Sequence, residues 1–90
     1  MLLISSFDFF GDEALLKKWD AAWKKACEET KGITSKGRYA SHQARYHYCY
    51  IYESDSYDKL MEAFGKISMK RDYNVITHNV LEAFNGPLDV

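Results

Sequence analysis

Imidazole is the side chain in this sequence best suited to moving a proton near neutral pH. His47 and His78 each fall in a stretch with the two-residue alternation of a β-strand. His47 shares its strand face with Arg45 and Glu53. An arginine, a histidine and a glutamate on one face would orient an anionic or enolisable ligand, with His47 as general base. The plainer reading leaves Arg45 and Glu53 solvated at the strand ends and His47 satisfying a hydrogen bond at the sheet margin. His78 sits in Ile-Thr-His-Asn amid apolar neighbours, where a structural histidine is the first expectation and a base the second. His42 falls in a loop and is expected to be solvated.

Other chemistries lack the spacing they need. No Cys-x-x-Cys, His-x-x-x-His or His-Glu-x-x-His occurs, so no metal site is expected. Neither a Gly-x-Gly-x-x-Gly run nor a P-loop is present to cradle a nucleotide, and there is no nucleophile elbow. Haem would need an axial histidine, and nothing selects one of the three; no cofactor is expected. Cys27 and Cys49 fall in a helix pattern and a strand pattern and read as small buried hydrophobes rather than a bridge.

The elements that would hold these groups are organised around Arg-Tyr-His-Tyr-Cys-Tyr-Ile-Tyr-Glu, Arg45 to Glu53. Tyrosine takes every second place, so Tyr46, Tyr48, Tyr50 and Tyr52 leave one side of a strand and Arg45, His47, Cys49, Ile51 and Glu53 the other. Met1 to Phe9 predicts a first strand with no purely polar face, as suits an inner position. Asp12 can cap a helix from Glu13 to about Thr30, whose Leu15, Leu16, Trp19, Trp23, Ala26 and Cys27 recur at three and four residues. Gly32 supplies its stop. Ile33 to Tyr39, broken by Gly37 and carrying Lys36 and Arg38, suits an edge strand, and Ala40 to Ala44 a hairpin loop. Ser54, Asp55 and Ser56 are N-cap candidates for a second helix with Tyr57, Leu60, Met61, Phe64 and Ile67 inward. Ser68 to Asp72 is a polar connection, and Tyr73 to Ala83 a last strand.

The order β-α-β-β-α-β in 90 residues predicts one α+β domain, residues 1–90, with the ferredoxin-like arrangement: a four-stranded antiparallel sheet, two helices on one face, and the first and tyrosine strands central. Trp19, Trp23 and Phe64 are bulky, so Cys49 and Ile51 are expected beneath the helices and the four tyrosines on the open face. Four phenols exceed the apolar area a monomer usually leaves wet. A second copy placed sheet to sheet is therefore the expected partner.

With this element order, the Tyr-His-Tyr-Cys-Tyr-Ile-Tyr-Glu strand running into a Ser/Asp-capped helix, and a final strand ending Val80-Leu81-Glu82-Ala83-Phe84, the chain resembles the dimeric α+β barrel superfamily. The resemblance covers Met1 to about Phe84. It implies a homodimer whose sheets close into a barrel, with Tyr46, Tyr48, Tyr50 and Tyr52 at the interface. It also implies a small-molecule pocket between sheet and helices, for which Trp19, Trp23 and Glu53 are the candidate contacts. Members include cofactor-free monooxygenases, haem-degrading and chlorite-degrading enzymes, isomerases, stress-responsive proteins and many of unknown activity. On that pattern His47 or His78 would be the base and Arg45 would orient an anion; a binding protein without catalysis is equally in keeping.

An RNA-binding domain of the RRM type shares the element order and stacks bases on aromatics of its third strand. Against it, the glycines of the usual motif are missing, and twelve basic residues face thirteen acidic ones, a net charge of −1. That balance argues for neither nucleic acid nor an acidic membrane. No run approaches the ~18 apolar residues of a membrane span, and Met-Leu-Leu-Ile is too short for a secretory segment. A soluble, cytoplasmic protein is the expectation.

Overall fold

A computed structural model of the chain describes residues 1–43, 45–67, 76–86 and 88, side chains 76–79 excepted. Its elements are β1 (Leu2–Phe9), α1 (Glu13–Glu28), β2 (Ile33–Ala40), β3 (Tyr48–Ser54), α2 (Tyr57–Gly65) and β4 (Ile76–Phe84). The strands form one antiparallel sheet in the order β2-β3-β1-β4. Both helices share one core with that sheet, the ferredoxin-like α+β arrangement. β1 and β3 are central.

Local chemistry accounts for most boundaries. Asp12 caps α1, its Oδ1 accepting the Leu15 N–H at 2.8 Å, and Glu13 adds charge where the helix dipole favours it. Leu16, Trp19, Trp23, Ala26 and Cys27 form the buried stripe. Past the end of α1, Gly32 turns the chain into β2 at φ 95°. A Cβ there would meet the Asp55 carboxylate at 2.9 Å, a side-chain tip that can swing aside, so the positive φ is what favours glycine. Of the three N-cap candidates Ser56 takes the cap position of α2. Ser54 steadies that turn instead, its hydroxyl donating to the Ser56 carbonyl at 2.7 Å.

β3 begins at Tyr48 rather than Arg45. The ladder with β1 stops at Phe7–Tyr48. At the next position the Asp8 carboxylate takes the backbone N–H of His47 at 2.9 Å, replacing a sheet partner with a side chain. In α2 the buried side chains are Leu60 and Ala63, followed by Ile67. Phe64 is half-buried, and Tyr57 and Met61 are largely exposed. The polar connection expected at Ser68 to Asp72, and the first residues of the expected last strand, lie outside the described residues.

The two faces of the sheet are the reverse of the expectation. Tyr50 and Tyr52 point toward the helices and are 5% and 1% exposed, in one cluster with Leu3, Phe7, Trp19, Trp23 and Leu60. Tyr48 packs against the edge of that cluster, and Tyr46, just before the strand, is also buried. The four tyrosines therefore do not form an open face available as a dimer interface. Cys49 and Ile51, expected beneath the helices, are on the other side, half-buried. Small residues make room for the rings: Ala26, Cys27 and Ala63 on the helices and Ser5 on β1. The phenol of Tyr50 also finds a carboxylate, donating to Asp20 Oδ1 at 2.7 Å, so a polar tip can enter the core satisfied.

In urea unfolding, Tyr52→Ala is expected to cost about 3–5 kcal/mol, as for other buried aromatics. Ile51→Ala, on the half-covered face, should cost about 1 kcal/mol. The opposite ranking would put the phenols on the outside.

Candidate functional site

The aromatic packing leaves a gap beneath α2. A cavity of about 300 Å³ opens between that helix and the sheet, lined by Ser5, Trp23, Tyr52, Tyr57, Leu60, Met61, Phe64 and Leu81. Trp23 is its back wall, with ring centroids 5.7 Å from Tyr52 and 5.8 Å from Phe64. The helical spacing of Tyr57, Leu60, Met61 and Phe64 sets one side along the other. Sheet pairing of Ser5 with Tyr50 and Leu81 supplies the floor. The lining is mostly apolar and aromatic, with Ser5, Tyr52 and Tyr57 as its hydroxyl-bearing residues, the make-up of a small-molecule site at the lower end of the usual size range.

Of the side chains expected to contact a ligand, Trp23 lines this cavity. Trp19 does not: at 1% exposure it is filled in around by the core. Glu53 lies on the opposite sheet face, 3.8 Å from Lys36 Nζ, and borders a wide groove of about 960 Å³ at the end of the sheet, shared with Leu2, Asp55 and Phe84. That groove is formed from strand ends and the turns beside them, and Phe84 is its one aromatic ring.

The expected Arg45, His47 and Glu53 constellation does not assemble on one strand face. Arg45 precedes β3 and lays its guanidinium over the Tyr46 ring at 5.6 Å. His47 is anchored instead by Asp8, whose Oδ1 lies 2.8 Å from Nδ1 and also holds the His47 backbone N–H. Its side chain is 82% exposed and takes no part in the cavity lining. Asp8 thus fixes the ring while leaving Nε2 outward. The backbone of His78 lies in β4, where the register against β1 shifts between the partners of Ser6 and Asp8, Val80 and Thr77. Among the described residues no group of three or more His, Cys, Asp and Glu side chains is placed to hold a metal ion. Nor is any helix among them long and apolar enough to cross a membrane.

One charged cluster escaped the sequence reading. Asp20 on α1 receives Arg38 Nε at 3.0 and 3.2 Å as well as the Tyr50 hydroxyl, and the Arg38 guanidinium lies 5.0 Å from the Tyr48 ring centroid. The Asp20 carboxylate raises the Arg38 pKa above its usual value, against a smaller opposing effect of burial. Gly37 was the signal. A glycine inside a strand often marks a bulge, and here it occupies φ 97° where β2 carries an extra residue between Ser35 and Gly37.

No family model, curated protein or solved structure matches the chain.

Burial, with a smaller push from the Glu28 carboxylate, raises the Cys27 thiol from 9.0 to about 11. Burial also raises Cys49. At pH 8 only about one Cys27 in a thousand is ionised, so a disulfide reagent should leave it untouched until the chain unfolds. Unfolded chains release this proton near pH 9 while the fold retains it, so stability should fall as pH climbs from about 9 toward about 11. Urea midpoints across that range check it, with Cys27→Ala flattening the slope.

Proposed function

We propose that this chain is a small-molecule-binding protein of the dimeric α+β barrel type, taking a flat, mostly apolar compound of one or two rings beneath α2. The observation that carries the reading is the cavity itself: Trp23, Tyr52 and Phe64 offer ring faces, while Ser5 and Tyr57 bring hydroxyls to its lining. A planar ligand gains area and ring contacts there, and a single hydroxyl or carbonyl on it meets a hydrogen-bonding group.

The same reading makes the protein a homodimer. The sheet face away from the helices carries Leu2, Ile4, Tyr39, Cys49, Ile51, Val80 and Phe84, as the pairing register sets them. Leu2, Tyr39, Val80 and Phe84 are among the most exposed large apolar side chains. These apolar side chains, interrupted by Glu53 and Glu82 on the same face, suit a second copy packed sheet to sheet. The interface moves from the even-numbered tyrosines to the odd-numbered side of β3.

Catalysis on the bound compound is the second reading, and the backbone of β4 carries a register shift at His78. Isomerisation or cofactor-independent oxygenation would need His78 as base, because His47 and Arg45 stand apart from the cavity. An RNA platform has less support: Tyr50 and Tyr52 lie under the helices and offer no face to a stacked base.

The binding reading is tested with Trp19→Phe, which leaves Trp23 as the one tryptophan of a chain that has two. Titration with 1-naphthol should change its fluorescence saturably. Adding Leu81→Phe, which fills the cavity from β4, should weaken binding at least about tenfold, equivalent to 1.4 kcal/mol. A change linear in naphthol, or one indifferent to Leu81→Phe, would contradict it.

A further inference from the structure

A second concavity, about 360 Å³, opens between α1 and β2 and is separate from the cavity under α2 in every lining residue. It is built around Arg38. With regular alternation Arg38 would share the face of Thr34 and Lys36, away from the helices. The extra residue between Ser35 and Gly37 shifts the phase, so Arg38 pairs with Tyr50 and turns toward α1. Ser35 Oγ accepts the Gly37 N–H at 3.2 Å and holds that irregularity in place.

Once turned, the guanidinium is fixed from two directions. Asp20 takes Nε, and the Tyr48 ring covers one face at 5.0 Å. None of the described hydrogen bonds of Arg38 uses its Nη atoms, although its side chain is only 23% exposed. Asp20 is itself engaged by Arg38 and by the Tyr50 hydroxyl, so it acts as an anchor rather than as a competing anion. Lys24 and Lys36 line the same concavity and add two point charges. The Lys36 contact with Glu53 is long and solvent-exposed, and such pairs are weak. A chain with a net charge of −1 thus places Arg38 and Lys24 beside one engaged carboxylate, with Lys36, whose Nζ lies 3.8 Å from Glu53, on the rim. A helix-to-strand tie would need Arg38 and Asp20 alone.

We infer that this groove binds the phosphoryl group of a small organic phosphate. The Arg38 fork would take two oxygens, and Lys24 and Lys36 would balance the dianion. A fixed guanidinium fork suits the planar, bidentate recognition that phosphoryl and carboxylate oxygens share. Two further lysines favour the doubly charged group over a carboxylate. The inference goes beyond the binding reading given for the α2 cavity and does not rest on it.

Amide NMR titrations with phenyl phosphate, inorganic phosphate and benzoate test it. Both phosphates should shift the Gly37, Arg38 and Lys24 amides saturably, and benzoate at least about tenfold more weakly. Arg38→Lys, which keeps the charge and loses the fork, should weaken phenyl phosphate about tenfold. Lys24→Gln should weaken it about threefold, and Lys59→Gln, in an exposed pair on α2 outside the groove, should not. If Arg38→Lys unfolds, Lys24→Gln decides. The inference fails if the shifts do not saturate, if Arg38→Lys or the deciding Lys24→Gln binds like the parent, or if benzoate matches the phosphates. Shifts confined to Trp23 and Leu81 would place the phenyl ring under α2 and likewise overturn the groove, without touching the binding reading.

Discussion

A strand has two faces, and in β3 the face that carries the tyrosine rings is the one covered by the helices. Tyr50 and Tyr52 stand 6.3 Å apart by centroid, with Trp23 against both and Phe7 stacked on Tyr50 at 5.1 Å. Each such pair contributes about 0.5–1.5 kcal/mol beyond its buried area. The layer also fixes the spacing between α1 and the sheet, because rings do not compress and interiors pack to crystal-like density. Every other feature follows from where those rings went.

Beneath α2 the same spacing leaves space unfilled. That helix is 9 residues long and buries only Leu60 and Ala63, so it cannot reach the sheet along its whole length. The cavity is the consequence, walled by the rings that prop the layers apart. On α1 the consequence is polar: a phenol brought into the core needs a partner, Asp20 meets it, and Arg38 is drawn in behind. On the far side of the sheet, Ile4 lies opposite Ile51, both half-buried, with exposed aromatic and acidic side chains around them.

Much of this was legible in the sequence. Asp12, the tryptophan-bearing stripe of α1 and the alternation of β1 and β3 gave the element order and the two central strands. The assignment of faces was not. Periodicity says which residues share a side and nothing of which side is covered. Weighing Cys49 and Ile51 against Trp19 and Trp23 by bulk overlooked how many small residues, Ala26, Cys27, Ala63 and Ser5, oppose the rings. His47 was recognised, but its partner was not, because Asp8 is 39 residues away and meets it only through the pairing of β1 with β3. Arg38 read as an edge-strand charge until the bulge at Gly37 changed its side; Arg45 drew attention instead through its place beside the tyrosines.

The central proposal is that, with the phenol row in the chain's own interior, a second copy packs on the opposite face. Sedimentation equilibrium of the parent chain and Ile51→Arg, with near-ultraviolet circular dichroism to report the aromatic core, tests it most directly. The account predicts a parent at twice its 10.5 kDa chain mass. Ile51→Arg should fall to the single-chain mass with its aromatic signal intact. A parent that stays at the single-chain mass into the high micromolar range, or a dimer that Ile51→Arg leaves undisturbed, would contradict it.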